Sequence, residues 1–291
     1  MIRMPKYRNP DIPKGSKVII GLGDSFTEGV GSWSKSTYNK YDGFIDPLNV
    51  PKEIYDEMYY NSWPCQLSRN HLPDYIPINL GITGKGNRAA VKELYLNPAL
   101  KLENASGGIM VLMLSGIERF DFINKEYLDH HFYTMWPNPQ DEKSTNTQLW
   151  EAYAKDLWSE KFILIETLMN IREGEIFAKA HGFDFIVSCA FDQRVHKEYF
   201  YEHLGKEHSE LIESLPWDKF LYPKECKSFM EMLLNYDGHP ELANGNFYEY
   251  YSKLKYPTEY ITNCMHPTQT GYAVMAEEIY EFCKLKGYIH D

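Results

Sequence analysis

Short apolar runs alternate along the chain with longer segments in which apolar residues recur at helical spacing. The runs cover residues 17–22, 75–79, 108–114 and 183–190 and predict strands; the continuous run 108–114 is typical of a central parallel strand. Helical spacing occurs in residues 61–70, 84–95, 151–181 and 268–286. This alternation of strands and helices predicts an α/β protein with an open parallel sheet.

Three segments interrupt this pattern. Residues 1–16 predict an irregular leader, and residues 124–150, which are rich in proline and polar residues, predict a loop. Residues 192–260 are aromatic, acidic and punctuated by prolines, so we expect an insertion over the edge of the sheet.

Composition narrows the classes of function. The 291 residues carry a formal net charge of −11 with 43% hydrophobic residues, which excludes a mainly disordered chain. An acidic protein repels phosphate backbones and anionic lipid surfaces, so we expect neither nucleic acid nor membrane as a partner. The length fits one elaborated domain or two small ones.

The N-terminal stretch predicts no secretory signal, because prolines replace the apolar segment that such a signal needs. The longest apolar runs are too short to span a bilayer. Five cysteines without CxxC spacing predict free thiols in a reducing compartment, so the expected location is the cytoplasm.

Two segments carry candidate chemistry. The stretch GDSFTEG, residues 23–29, follows the first strand directly and places Ser25 where a helix opens at the carboxyl end of the sheet. Backbone N–H groups at such a position can stabilise an oxyanion. Alternatively, Asp24 and Ser25 only cap the helix. His266 stands just before the last helix, where a rigid element would hold a general base.

Four blocks in order along the chain resemble the SGNH (GDSL) hydrolase superfamily. They are GDSFTEG, the stretch NLGITG at residues 79–84, the strand followed by Ser115 and Gly116, and the C-terminal HPTQTGY. The resemblance spans residues 17 to about 285. It implies a single domain over residues 1–291, with a flavodoxin-like three-layer α/β/α sandwich of about five parallel strands plus insertions. It also implies ester hydrolysis or acyl transfer through an acyl-enzyme, with no cofactor.

The resemblance implies roles for particular residues. Ser25 would be the nucleophile, and His266 the base that accepts its proton and later activates water. The backbone N–H groups of Ser25 and Gly84 would be two donors of the oxyanion hole.

Two positions depart from the family pattern. Glu118 stands where the family has an asparagine that donates to the oxyanion, and an ionised carboxylate can only accept hydrogen bonds. Either Glu118 turns away and Arg119 or another group donates, or the hole has two donors. Asn263 stands where the family has the aspartate that supports the histidine. Asn263 could orient the imidazole, or a backbone carbonyl could support a Ser-His dyad.

Other candidates compete with these. His239, which follows Asp237, is a rival base, and Asp237 could reach the site as a substitute acid. Cys264 could be a nucleophile in principle, although a small buried cysteine is more often inert. The spacing of the histidines predicts no metal site.

The remaining candidates concern substrate binding. Asp24, Glu118, Arg119, Lys85 and Arg88 lie in or beside the site blocks. Our hypothesis is that the three cations bind an anionic part of the substrate, such as a uronate, a sialate or a phosphate. The alternative is that Arg119 pairs with Glu118 or Asp121 and that the others are solvated.

The sequence therefore predicts a serine esterase acting on a small acyl ester, with O-acetylated carbohydrate favoured over lipid. A catalytically impaired SGNH-fold module that binds glycans or partners is the first alternative, because of positions 118 and 263. An acyltransferase is the second.

Overall fold

A computed structural model describes residues 11–42, 45, 50–96, 100–123, 132–135, 151–155 and 158–289. The strands in this part of the chain are β1 (Ser16–Gly23), β2 (Tyr75–Gly81), β3 (Ala105–Leu114), β4 (Phe120–Ile123), β5 (Phe132–Met135) and β6 (Phe183–Cys189). β2, β1, β3 and β6 form one parallel sheet in that order, so β1 is an inner strand. The predicted α/β class and the flavodoxin-like sandwich are confirmed.

Helices cover both faces of this sheet. They are α1 (Ser25–Glu28), α2 (Lys35–Lys40), α3 (Tyr55–Asn61), α4 (Trp63–His71), α5 (Asn87–Leu96), α6 (Glu160–Ala180), α7 (Lys197–Leu204), α8 (Ser209–Glu213), α9 (Phe229–Tyr236), α10 (Phe247–Tyr251) and α11 (Gln269–Lys286). Residues 151–155 are helical as well. The helix predicted over residues 151–181 is therefore interrupted, because Ser159 adopts extended backbone and caps α6.

The core has two layers because side chains of β1 alternate between the faces of the sheet. Val18 and Ile20 pack with α5 and α6, whereas Ile19 packs on the other face with α4, α9 and α11. All three side chains are fully buried, and burial of each contributes about 1.5–3 kcal/mol relative to exposure. The sheet that positions the site is thus held from both sides.

The parallel sheet has four strands among the described residues, against the predicted five or so. The fifth position, beside β6, is taken by Phe220, which forms a single parallel bridge with Val187. The N–H of Leu221 donates to the carbonyl of Val187 at 2.8 Å. Pro216 and Pro223 lie on either side, and since proline lacks a backbone donor, the pairing ends after one bridge.

Residues 192–260, predicted as an insertion, supply α7 to α10 as well as this bridge. Phe200 of α7 packs with the α5 and α6 layer, and Phe229 of α9 packs with the opposite layer. The segment therefore contributes to both faces of the core next to the β6 edge.

An antiparallel hairpin, β4 and β5, lies outside the main sheet. It contradicts the loop prediction at residues 132–135; the rest of the predicted loop 124–150 lies outside the described residues. Four-residue strands are too short to show a reliable alternation of polar and apolar positions. Within the described ranges, no helix is both long enough and apolar enough to cross a membrane.

Candidate active site

Ser25 lies at the carboxyl end of β1, as the first residue of α1. Asp24 caps this helix, and its carboxylate accepts from the N–H of Phe26 at 3.0 Å. Asp24 therefore caps α1 while Ser25 stands at the carboxyl end of the sheet, so the two interpretations of this segment are compatible. Ser25 is only 3% exposed, and its hydroxyl lies where the sheet presents ligands.

His266 is held by a tight loop of residues 262–266, called the histidine loop below, which precedes α11. The N–H of Thr262 donates to the carbonyl of His266 at 2.8 Å, and the N–H of His266 donates back to Thr262 Oγ1 at 3.0 Å. Met265 has a φ of 60°, which is uncommon for a residue other than glycine and completes the loop. Gly31 allows close approach, since a Cβ there would lie 3.0 Å from His266 Cβ and 2.7 Å from the Pro267 carbonyl oxygen.

The fold brings Ser25 and His266 together. His266 Nε2 lies 2.8 Å from Ser25 Oγ, and His266 Nδ1 lies 2.7 Å from the carbonyl oxygen of Cys264. A carbonyl only accepts, so Nδ1 carries the proton and Nε2 is free to accept from the serine. Burial lowers the pKa of His266 to about 4; the bond to Cys264 opposes this effect, and the charge of Arg119 adds to it. The imidazole is therefore neutral near pH 7.

Asn263, predicted to orient the imidazole, is placed elsewhere. Its Nδ2 lies 3.4 Å from the carbonyl oxygens of Leu254 and Lys255, to which it donates. A neutral imidazole has one N–H, and in His266 that N–H is used by the carbonyl of Cys264. The backbone-supported dyad, the second alternative from the sequence, is the observed arrangement.

The two predicted oxyanion donors lie on adjacent loops. β1 and β2 end in register at Gly23 and Gly81, and the N–H of Ile82 donates to the carbonyl of Gly23 at 3.1 Å. Gly84 follows in a turn with a φ of 79°. Among the described residues, neither the N–H of Ser25 nor that of Gly84 donates to another protein group. Both donors are thus available to a ligand.

The carboxylate of Glu118 is turned toward Arg194. Arg194 forms an ion pair with Glu118 and also binds the buried Asp192, with 2.7 Å between Nη2 and Oδ2. Asp192 in turn accepts from the N–H of Ile117 at 2.9 Å. This ion pair holds the Glu118 carboxylate, which would be unfavourable beside an oxyanion if it were left unpaired.

Arg119 contacts both loops of the site. Its Nη1 donates to Asp24 Oδ2 at 2.7 Å and to the carbonyl of Lys85 at 3.0 Å. The guanidinium lies over the ring of Phe191, 5.1 Å from its centroid. Burial raises the pKa of Asp24, and the charge of Arg119 opposes that rise. The predicted pairing of Arg119 with Glu118 or Asp121 is therefore replaced by a pairing with Asp24.

The other two cations differ in their surroundings. Arg88 is 44% exposed at its side chain and lies 3.6 Å from Glu166. Burial lowers the pKa of Lys85, while the nearby charges of Asp121 and Glu93 oppose that change. Arg88 and Arg119 thus both face carboxylates, which argues against a ready-made anion site formed by all three cations.

The side chains of the rival candidates bond to groups other than Ser25. His239 bonds through Nε2 to the hydroxyl of Tyr250 at 3.1 Å and through Nδ1 to Glu241 at 3.2 Å. Asp237 accepts from the hydroxyls of Tyr251 and Thr258, at 2.8 and 2.5 Å. Asp237 therefore stabilises the segment that leads toward the histidine loop. It does not take the place of an acid that supports His266. Cys264 is buried, with its thiol 3.1 Å from Thr262 Oγ1.

Tyr272 is a site residue that sequence reasoning left without a role. It is fully buried on α11, and its hydroxyl donates to the carbonyl oxygens of Ser25 at 3.2 Å and Val30 at 2.9 Å. The sequence did contain a signal for this residue, since Tyr272 is the last residue of the C-terminal block HPTQTGY. Arg194 and Asp192 carried no such signal, because only the fold brings them to Glu118.

A cavity of about 660 Å³ lies beside the histidine loop. Its lining includes Trp33, Tyr38 and Tyr256 together with Glu259, Gln269 and Thr270. Aromatic rings and short polar groups in one cavity suit a polar organic ligand. Over the described part of the chain, no three His, Cys, Asp or Glu residues are grouped so that they could hold a metal ion.

No protein-family model matches this chain, and none of the curated protein sequences matches it either.

Proposed function

We propose that this protein is a serine ester hydrolase of the SGNH type that acts through an acyl-enzyme. The observation that carries the proposal is the 2.8 Å contact between Ser25 Oγ and His266 Nε2. The bond from Nδ1 to the Cys264 carbonyl supports it, because that bond selects the tautomer that can take the serine proton. The low pKa of His266 keeps this acceptor unprotonated at neutral pH.

In the first half-reaction, Ser25 Oγ attacks the ester carbonyl carbon while its proton passes to His266 Nε2. The carbonyl oxygen becomes an oxyanion, which accepts from the N–H groups of Ser25 and Gly84. The intermediate collapses when the bond to the alcohol oxygen breaks and His266 returns the proton to the leaving alcohol. Ser25 is then acylated.

In the second half-reaction, water attacks the acyl carbon and gives its proton to His266. A second oxyanion forms in the same place, and its collapse breaks the bond to Ser25 Oγ. His266 returns the proton to the serine, and the carboxylic acid leaves. The dyad is thus restored, with one water consumed for each ester cleaved.

We further propose a small acyl ester as substrate, with O-acetylated carbohydrate favoured over lipid. Arg119 and Arg194 are ion-paired with carboxylates, which favours a neutral substrate over an anionic one. The cavity next to the histidine loop offers the half-exposed ring of Tyr256 and the polar groups of Glu259 and Gln269. These groups suit the hydroxyls and apolar faces of a sugar.

The intact dyad weighs against the catalytically impaired binding module that positions 118 and 263 suggested. We also propose a cytoplasmic location. All five cysteines are buried free thiols, which suits a reducing compartment.

The test is labelling by a fluorophosphonate probe together with turnover of a short-chain aryl ester. We expect wild type to be labelled and active, and Ser25→Ala and His266→Ala to lose both properties. Ser188→Ala is a matched control because it removes another buried hydroxyl, which donates to the carbonyl of Leu221. His239→Ala is the control for the histidine, and both controls should retain activity. Labelling that persists in Ser25→Ala would contradict the proposal.

A further inference from the structure

Arg119 joins the two loops that carry the oxyanion donors. Its Nη1 binds Asp24, which directly precedes Ser25, and also binds the carbonyl of Lys85, which directly follows Gly84. The distances from Nη1 are 2.7 and 3.0 Å. One nitrogen therefore holds a neighbour of each predicted donor, at the end of β1 and in the turn after β2.

The position of Arg119 is itself fixed. Its N–H donates to the carbonyl of Gly116 at 3.1 Å, and its guanidinium lies over Phe191. The loop after Gly84 packs directly on its backbone, since a Cβ at Gly86 would lie 2.8 Å from the carbonyl oxygen of Arg119. Phe191 packs in turn against Phe26 of α1, with 5.7 Å between ring centroids. The arginine is thus held by both sides of the site.

The ion pair between Arg119 and Asp24 also has an electrostatic effect on the site. Asp24 is fully buried, and its carboxylate would oppose a negative charge that develops beside Ser25. Arg119 pairs with that carboxylate and places a positive charge close enough to lower the pKa of His266. The same charge favours an oxyanion over the neutral ester.

We infer that Arg119 is a positioning residue that sets the spacing of the Ser25 and Gly84 N–H donors and neutralises Asp24, so that the oxyanion hole works with Glu118 turned away. The inference rests on the proposed function. On this inference, Arg119 compensates for the side-chain donor that is missing because Glu118 stands where the family pattern has an asparagine.

The experiment compares Arg119→Met and Arg119→Lys with wild type in turnover of a short-chain aryl ester. Loss of one oxyanion donor costs about 10²–10³ in rate, and we expect Arg119→Met to lower kcat by about 10². KM should change by less than about threefold, because the donors act on the transition state. Lysine keeps the charge but lacks the planar fork, so Arg119→Lys should retain an intermediate kcat.

A pH profile separates this role from a purely structural one. Removal of the Arg119 charge should raise the pKa of His266 and move the acid limb of kcat/KM in Arg119→Met to higher pH. Burial raises the pKa of Asp24 and Arg119 opposes that rise, so Asp24 should take up a proton more readily once Arg119 is removed. Cys264 and Tyr272 also lie against His266 or Ser25, but burial raises the pKa of Tyr272 and keeps it neutral.

The matched control is Arg172→Met, which removes another arginine whose Nη1 binds both a carboxylate, that of Glu175 at 2.6 Å, and a backbone carbonyl, that of Ser214 at 2.9 Å. We expect it to lower thermal stability but to leave kcat within about threefold of wild type and the acid limb in place. An equal fall in kcat in both arginine variants, or an unmoved acid limb in Arg119→Met, would overturn the inference. Absence of Ser25-dependent labelling in wild type would overturn the proposed function as well, so the two failures are distinguishable.

Discussion

The hydroxyl of Tyr272 donates to the carbonyl oxygen of Ser25 at 3.2 Å, so the helix that follows His266 also holds the turn that carries Ser25. The same hydroxyl donates to Val30 at 2.9 Å. Through these bonds α11 holds the first residue of α1 and Val30, just after its end, although the two helices are far apart in the chain.

We therefore expect Tyr272→Phe to impair both stability and turnover. The buried carbonyl of Val30 would lose this donor, whereas that of Ser25 would keep the N–H groups of Gly29 and Val30, so we expect a cost of about 1–3 kcal/mol in the free energy of unfolding. A small shift of Ser25 should lower kcat by about tenfold, given that a misplacement of about 1 Å can cost about 10². Denaturant unfolding and ester turnover measure these effects. Tyr251→Phe removes another fully buried tyrosine's hydroxyl and should lower stability without a comparable loss of kcat.

Asn263→Ala tests which group supports the base. Because the Cys264 carbonyl accepts from Nδ1 of His266, we expect kcat to fall by less than about tenfold. Loss of a true triad acid costs about 10⁴ in serine proteases, so the two outcomes are well separated. The measurement is kcat with a short-chain aryl ester. A fall of about 10³ or more would restore Asn263 to the catalytic role.

Gly31→Ala should displace the histidine loop. The new Cβ would lie 2.7 Å from the Pro267 carbonyl oxygen and 3.0 Å from His266 Cβ, and Gly31 has a φ of 93°. Gly238→Ala is the matched control, since Gly238 has a φ of 80° but nothing within 4 Å of its added Cβ. Both variants should lose stability through backbone strain, by about 1–3 kcal/mol. Only Gly31→Ala should also lose turnover, and equal turnover in the two variants would contradict the described geometry.

Activity should extend to acidic pH. The pKa of His266 is lowered from 6.5 to about 4, so the base is neutral above that value and protonated below it. We expect kcat/KM to be level from about pH 5 upward and to fall tenfold per pH unit below about pH 4. Between pH 6.5 and 4 the unfolded chain binds the proton more readily than the folded chain, so His266 lowers the free energy of unfolding as the pH falls. An acid limb near pH 6.5 would contradict a desolvated imidazole.

Tyr256→Ala tests the cavity beside the histidine loop. Tyr256 is 50% exposed and lines this cavity, so removal of its ring should raise KM for an O-acetylated oligosaccharide by about tenfold. Turnover of a short-chain aryl ester should be unchanged, because neither Ser25 nor His266 is among the residues that line this cavity. Tyr60→Ala is the control, because Tyr60 is comparably exposed, at 57%, but does not line the cavity. It should change the KM of neither substrate. Equal KM values for the oligosaccharide in both variants would exclude this cavity as the sugar site.

The sheet could be predicted from the sequence because each of its strands is a buried run of apolar residues. Residues 17–22 and 108–114 were predicted as strands, and the structure extends each by a few residues, as β1 and β3. The residues at which helices begin and end were harder to predict. Residues 61–70 resemble one helix, but Ser62 adopts extended backbone between α3 and α4, and Pro64 favours a new helix start.

The site was predictable where a residue type and its neighbours define one chemistry. Ser25 and His266 belong to blocks with a recognisable order, and the structure brings them together. The partners of Glu118 and Arg119 were not predictable, because Arg194 and Asp24 reach them only through the packing of separate loops. The positive φ of Met265 has no signal in the sequence either, since the loop bonds to Thr262 impose it.

The separation of 241 positions between Ser25 and His266 has a consequence for how the protein becomes competent. Ser25 is synthesised early, whereas His266 stands in the loop before α11, the helix that completes one face of the core. Under the proposed function, Ser25 in a chain emerging from the ribosome would lack its base until the last helix docks on the sheet. Catalysis would switch on only with completion of the tertiary structure, and the growing chain would be protected from premature ester chemistry.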